Sequence, residues 1–202
     1  MFAFSAFLFE DGFVLQNLIG TVLRPRATMA LLKEAPPRAG LGPVLLAGAS
    51  WAAFSAILNA GGYAPSRPAP LIDGDVHYLA QSFFVTPLFL LAWAVMTATS
   101  ASVARRYGAS ATSGALAAPL GFAYGVPLVI AWALPDAILF ALVGFDALGP
   151  LVRIIGPFTA LYMASLSTLA VRAVTGLPWP RATVTALAGL VAQGILAGWA
   201  LR

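Results

Sequence analysis

The sequence predicts an all-helical, polytopic membrane protein: a bundle of five transmembrane helices with an N-terminal amphipathic interfacial helix. Three observations carry that prediction. Only 9% of the 202 residues are charged while 60% are hydrophobic, whereas soluble domains carry about 25% charged residues. The few charges are clustered, which leaves long uncharged stretches between them. The basic residues fall on alternate sides of those stretches, the pattern left by the positive-inside rule.

Residues 1–38 form the first region. Residues 1–9 are apolar but too short to span, and Glu10 and Asp11 follow at once. Each carboxylate would cost about 2.5–3.5 kcal/mol at mid-bilayer. No Lys or Arg precedes this stretch, so it lacks the basic start of a cleaved signal peptide. Residues 13–23 place Val14, Leu15, Leu18, Ile19 and Val22 on one helical face and Gln16, Asn17, Gly20 and Thr21 on the other. Residues 1–35 therefore read as an amphipathic region lying on the membrane surface.

Residues 39–202 hold the spans. Arg38 and Arg67 bracket 28 uncharged residues, Asp75 and Arg105 bracket 29, Arg106 and Asp136 another 29, Arg153 and Arg172 18, and Arg181 and Arg202 20. A helix needs about 20 apolar residues to cross the hydrocarbon core. The expected spans are residues 42–61, 79–102, 112–134, 151–173 and 182–201. Residues 136–149 carry Asp136 and Asp146 and are too short to span; they read as interfacial, re-entrant or part of a sixth span. An N-terminus in the cytoplasm puts 8 of the 11 basic residues inside (Arg24, Arg26, Lys33, Arg38, Arg105, Arg106, Arg172, Arg181). Five crossings then leave the C-terminus outside.

Composition excludes much chemistry. Cysteine is absent, which removes disulfides, thiolate nucleophiles, iron–sulfur clusters and Cys-type zinc sites. His77 is the only histidine, so no two-histidine metal motif can form. There is neither a P-loop nor a G-x-S-x-G elbow. Net charge is +4 with a pI near 10.0, but the basic residues form no nucleic-acid patch and serve better as topology signals. Asp73, Asp75 and His77 in the second loop could offer oxygen and imidazole ligands. The same run also reads as a turn with an N-cap before the next helix, and no metal, cofactor or catalytic residue is expected.

Small residues recur at four-residue spacing. Ala117, Gly121 and Gly125 make one stripe, Gly194 and Gly198 another, and such stripes let helices approach closely in lipid. They mark packing within the bundle or a face for a partner helix. Pro87, Pro119, Pro127 and Pro157 fall within spans and favour kinks. The middle of each expected span carries no ionisable residue, which argues against ion-coupled transport. Arg24, Arg26, Arg105, Arg106 and Arg181 are expected at the inner surface, as topology anchors within reach of anionic headgroups.

The layout resembles the Yip-domain family, named for Ypt/Rab-interacting proteins, in its bacterial branch. The matching positions are Arg24 and Pro25 before the first span, Gly156 opening the fourth, Gly176 and Leu177 in the turn, and Arg181 opening the fifth. The resemblance covers residues 22–202. It implies a five-helix integral protein of a bacterial inner membrane, with cytoplasmic N-terminus and external C-terminus, and supplies no catalytic residues. Eukaryotic members are linked to small GTPases, but this chain lacks their long polar N-terminal domain, so a GTPase partner is not expected. The function expected is that of a non-enzymatic scaffolding or accessory subunit, with the lipid bilayer and other membrane subunits as partners. The alternative is a subunit of a transport or lipid-handling pathway lined by proline-kinked helices.

Overall fold

The computed structural model describes residues 12–65 and 72–200, with side chains to residue 197. Two short helices come first, α1 (Phe13–Leu23) and α2 (Pro25–Leu32). Pro25 separates them: its ring fixes its own φ for a helical first turn and drives Arg24 out of the helical region. A 3-10 turn at Pro37–Gly40 leads into α3 (Leu41–Ala60), and another at Gly74–Val76 leads into α4 (His77–Arg106). Next come α5 (Ser113–Leu128), a π-helical turn at Val129–Ala133 and α6 (Leu134–Val143), then α7 (Leu148–Thr175) and α8 (Trp179–Ala200). No strand occurs among the described residues.

Four stretches are long and apolar enough to cross a membrane: Pro37–Ala60, Gly74–Arg106, Ser113–Val143 and Phe145–Thr175. That is the make-up of a multi-pass membrane protein. The fifth expected span corresponds to α8, a 22-residue helix that is not among these four.

α3, α4, α8, α7 and α5 follow one another around the bundle, and α4 and α5 also touch across its middle. Residues 116–128 of α5 are buried without exception. Its sequence explains that position, because small residues at short spacing let neighbours close in from several sides. A Cβ built on Gly121 would fall on the Gly40 backbone, and one on Gly125 would fall on Pro43. The turn before α3 thus lies directly on the α5 stripe. The Trp93 indole of α4 donates to the Ala117 carbonyl at 3.1 Å, and Thr112 caps α5 by accepting from the Ala115 N–H at 3.1 Å.

The structure settles residues 136–149. They are neither a separate interfacial helix nor a sixth crossing, because Leu134–Val143 continues α5 and a 3-10 turn at Phe145–Ala147 opens α7. Pro135 explains why the sequence suggested a break. It has no N–H to donate to Ala131, four residues back, and its ring crowds that carbonyl. The helix widens into the π turn, where the Leu134 N–H reaches Val129 instead. The Thr159 hydroxyl of α7 donates to the Ala131 carbonyl at 3.2 Å. A neighbouring helix supplies the hydrogen bond that proline withholds, which is how an interrupted helix survives at membrane depth.

Residues 13–23 form a helix, with two side chains of its polar face covered by protein. Thr21 is fully buried and Asn17 is 8% exposed, whereas Leu23 is 72% exposed. Asn17 and Thr21 lie on the bundle with Leu18 packed beside them, whereas Leu15, Ile19 and Gln16 are exposed. Asn17 and Thr21 meet their hydrogen-bonding needs on the backbone of their own helix, at Phe13 and Asn17, so they can be covered without other partners. Met29 and Leu32 of α2 enter the main core. The apolar residues 1–9 lie outside the described residues.

Candidate functional site

The antiparallel helices sort the charges to two ends. One end gathers eight basic residues (Arg24, Arg26, Lys33, Arg38, Arg105, Arg106, Arg172, Arg181) and one acid, Glu34. The other gathers Asp73, Asp75, Asp136 and Asp146 with Arg153 as the described base.

At the basic end the α7–α8 turn builds a cluster. Gly176 adopts a left-handed conformation (φ 67) that few other residues tolerate, and its N–H returns to Arg172 O at 2.9 Å. Leu177 plugs into the core behind it. The tight reversal brings Trp179 under the Arg172 guanidinium, 4.3 Å from ring centroid to Cζ. Arg26 of α2 lies over the same ring at 5.9 Å, and Arg181 lies over Tyr107 at 5.7 Å. Arginine stacks well on aromatic faces while its N–H edges stay free to donate. Among the described residues the one salt bridge is the exposed Lys33–Glu34 pair, so Arg26, Arg172 and Arg181 have no carboxylate partner there. Arg105 acts elsewhere. It bonds Ala111 O and Ser102 Oγ, each at 3.2 Å, and braces the turn between α4 and α5.

Beside this end, α1 and α2 enclose an open cleft of about 740 Å³. Phe13, Ile19, Leu23 and Leu31 give it apolar walls, and Arg24 and Glu34 stand at its edges.

At the opposite end, Asp136 follows the π turn and Pro135. It is 8% exposed, and its Oδ1 has no hydrogen-bond partner among the described residues. The Trp132 indole stands one helical turn earlier and faces the carboxyl group. Tyr78 of α4 is its electrostatic neighbour. Aromatic rings fill the surroundings: Trp132 lies against Trp51 at 5.4 Å, and Tyr63 stacks on Phe145 at 4.7 Å. Nearby, Ser55 of α3 donates to the buried Gln81 of α4 at 2.8 Å.

The structure places the sequence-selected residues as follows. Ala117, Gly121 and Gly125 are buried where α5 meets the turn before α3. Gly194 lies on an open face of α8 with nothing within 4 Å of a built Cβ, and the surroundings of position 198 lie outside the described side chains. Arg24, Arg26, Arg105, Arg106 and Arg181 share the basic end and are exposed. Asp73 and Asp75 are exposed whereas His77 is buried. No group of three His, Asp or Glu side chains converges to hold a metal among the described residues.

Two features escape sequence reading. Asp136 reads as the marker of a span end, and only the pairing of Pro135 with Trp132, one turn before Asp136, hints at a continuing helix. Trp179 gives no signal, because its importance comes from the arginines of two other helices. Comparison with known proteins returned nothing: no family model, no curated protein and no solved structure matches the chain.

Proposed function

We propose that this protein is a non-enzymatic integral membrane protein that serves as a scaffolding or accessory subunit of a membrane-protein complex. In this reading α8 is a fifth crossing. The basic end and the N-terminus face the cytoplasm of a bacterial cell, and the C-terminus lies outside. The positive-inside rule supports that orientation. The likeness to bacterial Yip-domain proteins belongs to the same proposal.

The observation that carries the assembly role is the outer face of α8. Val184, Leu187, Val191 and Ile195 are exposed there, and Gly194 leaves a gap between them that none of the described residues fills. A second helix can approach its backbone closely at such a gap. Native purification in mild detergent, with identification of co-purifying subunits, tests this role. Gly194→Ile should strip the partner while leaving the fold intact, and a protein that stays monomeric and partner-free in native membranes would overturn the reading. A lipid-handling role is the second reading, favoured by the apolar cleft between α1 and α2.

A further inference from the structure

We propose that Arg26, Arg172 and Trp179, with Arg181 on Tyr107 beside them, form a binding site for the headgroup phosphate of an anionic phospholipid. The starting point is an arrangement that is unfavourable by itself. Two guanidinium groups from different helices are held over one indole ring, at 4.3 and 5.9 Å from its centroid, and a third arginine stands two residues along the chain. Like charges this close repel. Among the described residues no carboxylate lies within ion-pair distance of any of the three to relieve that repulsion.

A guanidinium held over an aromatic ring keeps its N–H edges free to donate, and no carboxylate among the described residues takes them up. That presentation suits the tetrahedral oxygens of a phosphate, which arginine grips in bidentate fashion. The location selects the source of the phosphate. The site lies where α7 ends and α8 begins, at one end of helices apolar enough to cross a membrane. Leu31 on α2, the helix that carries Arg26, and Leu23 at the end of α1 expose apolar side chains along one cleft, where an acyl chain can lie. A bilayer leaflet offers both parts in one molecule. The site holds whether or not the protein assembles with a partner subunit.

The test uses the full chain reconstituted in two kinds of vesicle, phosphatidylcholine alone and phosphatidylcholine with phosphatidylglycerol, followed by gentle extraction and native mass spectrometry. Wild type should retain phosphatidylglycerol in preference to phosphatidylcholine. Arg172→Gln should cut that retention about fivefold or more, and the Arg26→Gln/Arg172→Gln pair about 30-fold. Arg172→Lys keeps the charge but loses the fork, so it should also lose retention. Trp179→Leu should do the same with every arginine in place, and Trp179→Phe should restore part of it. Circular dichroism and elution volume show that each variant is folded. Arg106→Gln removes an equal charge from the same end and serves as the reference.

Equal losses for Arg106→Gln and Arg172→Gln would mean diffuse surface attraction and would overturn the site. So would full retention in Arg172→Lys. Glu10 and Asp11 lie outside the described residues and are the internal anions to eliminate. If Glu10→Gln/Asp11→Asn raises phosphatidylglycerol retention to a level that Arg172→Gln no longer lowers, the arginines serve the chain's own acids and the proposal fails.

Discussion

Replacing Thr159 with valine isolates the repair of the π turn. The change swaps a hydroxyl for a methyl, keeps the β-branch that sets the rotamer in a helix, and leaves volume nearly constant. What disappears is the 3.2 Å hydrogen bond to the Ala131 carbonyl, at a position where Thr159 is 1% exposed. A buried acceptor that loses its partner costs about 1–3 kcal/mol. Interhelical hydrogen bonds in membranes average about 0.6 and reach about 1.7 kcal/mol. The expected loss is therefore about 1–2 kcal/mol. Unfolding by denaturing detergent in mixed micelles measures it, and Trp132 beside the site supplies the fluorescence. The decisive step repeats the substitution in a Pro135→Ala background. An N–H at position 135 can reach Ala131 from within the helix, so Thr159→Val should then cost little, giving a coupling of about 1 kcal/mol. An equal cost in both backgrounds, or none in the wild type, would refute the view that Thr159 stands in for the proline's missing donor.

Further outcomes can be measured in the same way. Gly121→Ala should cost about 1–3 kcal/mol, because the new methyl meets the Gly40 backbone, whereas Gly194→Ala should stay within about 0.5 kcal/mol. Asp136→Asn keeps an acceptor for Trp132 and removes a carboxylate whose Oδ1 is unpartnered, so it should be neutral or stabilising; a loss above about 2 kcal/mol would reveal a cationic partner. The chain has no cysteine, so single-cysteine variants report topology without background. An impermeant maleimide applied to intact cells should label Asp73→Cys and spare Ser110→Cys, and the reverse pattern would invert the proposed orientation.

Charge spacing was enough to locate the long helices. Expected residues 42–61 became Leu41–Ala60, and 79–102 became His77–Arg106, because a helix that crosses lipid tolerates charge only near its ends. The same rule misled at Asp136. There an aspartate lies well inside the helical stretch Ser113–Val143, beside an indole of its own helix and among rings from other elements. Those rings are far away in sequence, so no local pattern could announce them. The small stripe at Ala117, Gly121 and Gly125 was visible as a packing surface, but what packs on it, Gly40 and Pro43, was not. For α1 the helix was legible, but the burial of Asn17 and Thr21 against the bundle was not. A helical wheel records which residues share a side. Whether the polar side meets water or protein depends on tertiary contacts and on side chains, such as Thr21, that can bond their own backbone. The arginine–tryptophan cluster lay hidden for the same reason, since it joins α2, α7 and α8.

The inward-facing Asn17 and Thr21 of α1 also belong to a junction between parts of the chain that lie far apart in sequence. α1 and α2 come before the long helices of the bundle in sequence, yet part of the surface they rest on belongs to α5 and α7, more than a hundred residues further along for α7. α1 also packs against α2 and the start of the bundle at α3, while it meets α5 and α2 meets α7. The two short helices therefore strap the basic end of α5 to that of α7, a link that no loop between those helices makes.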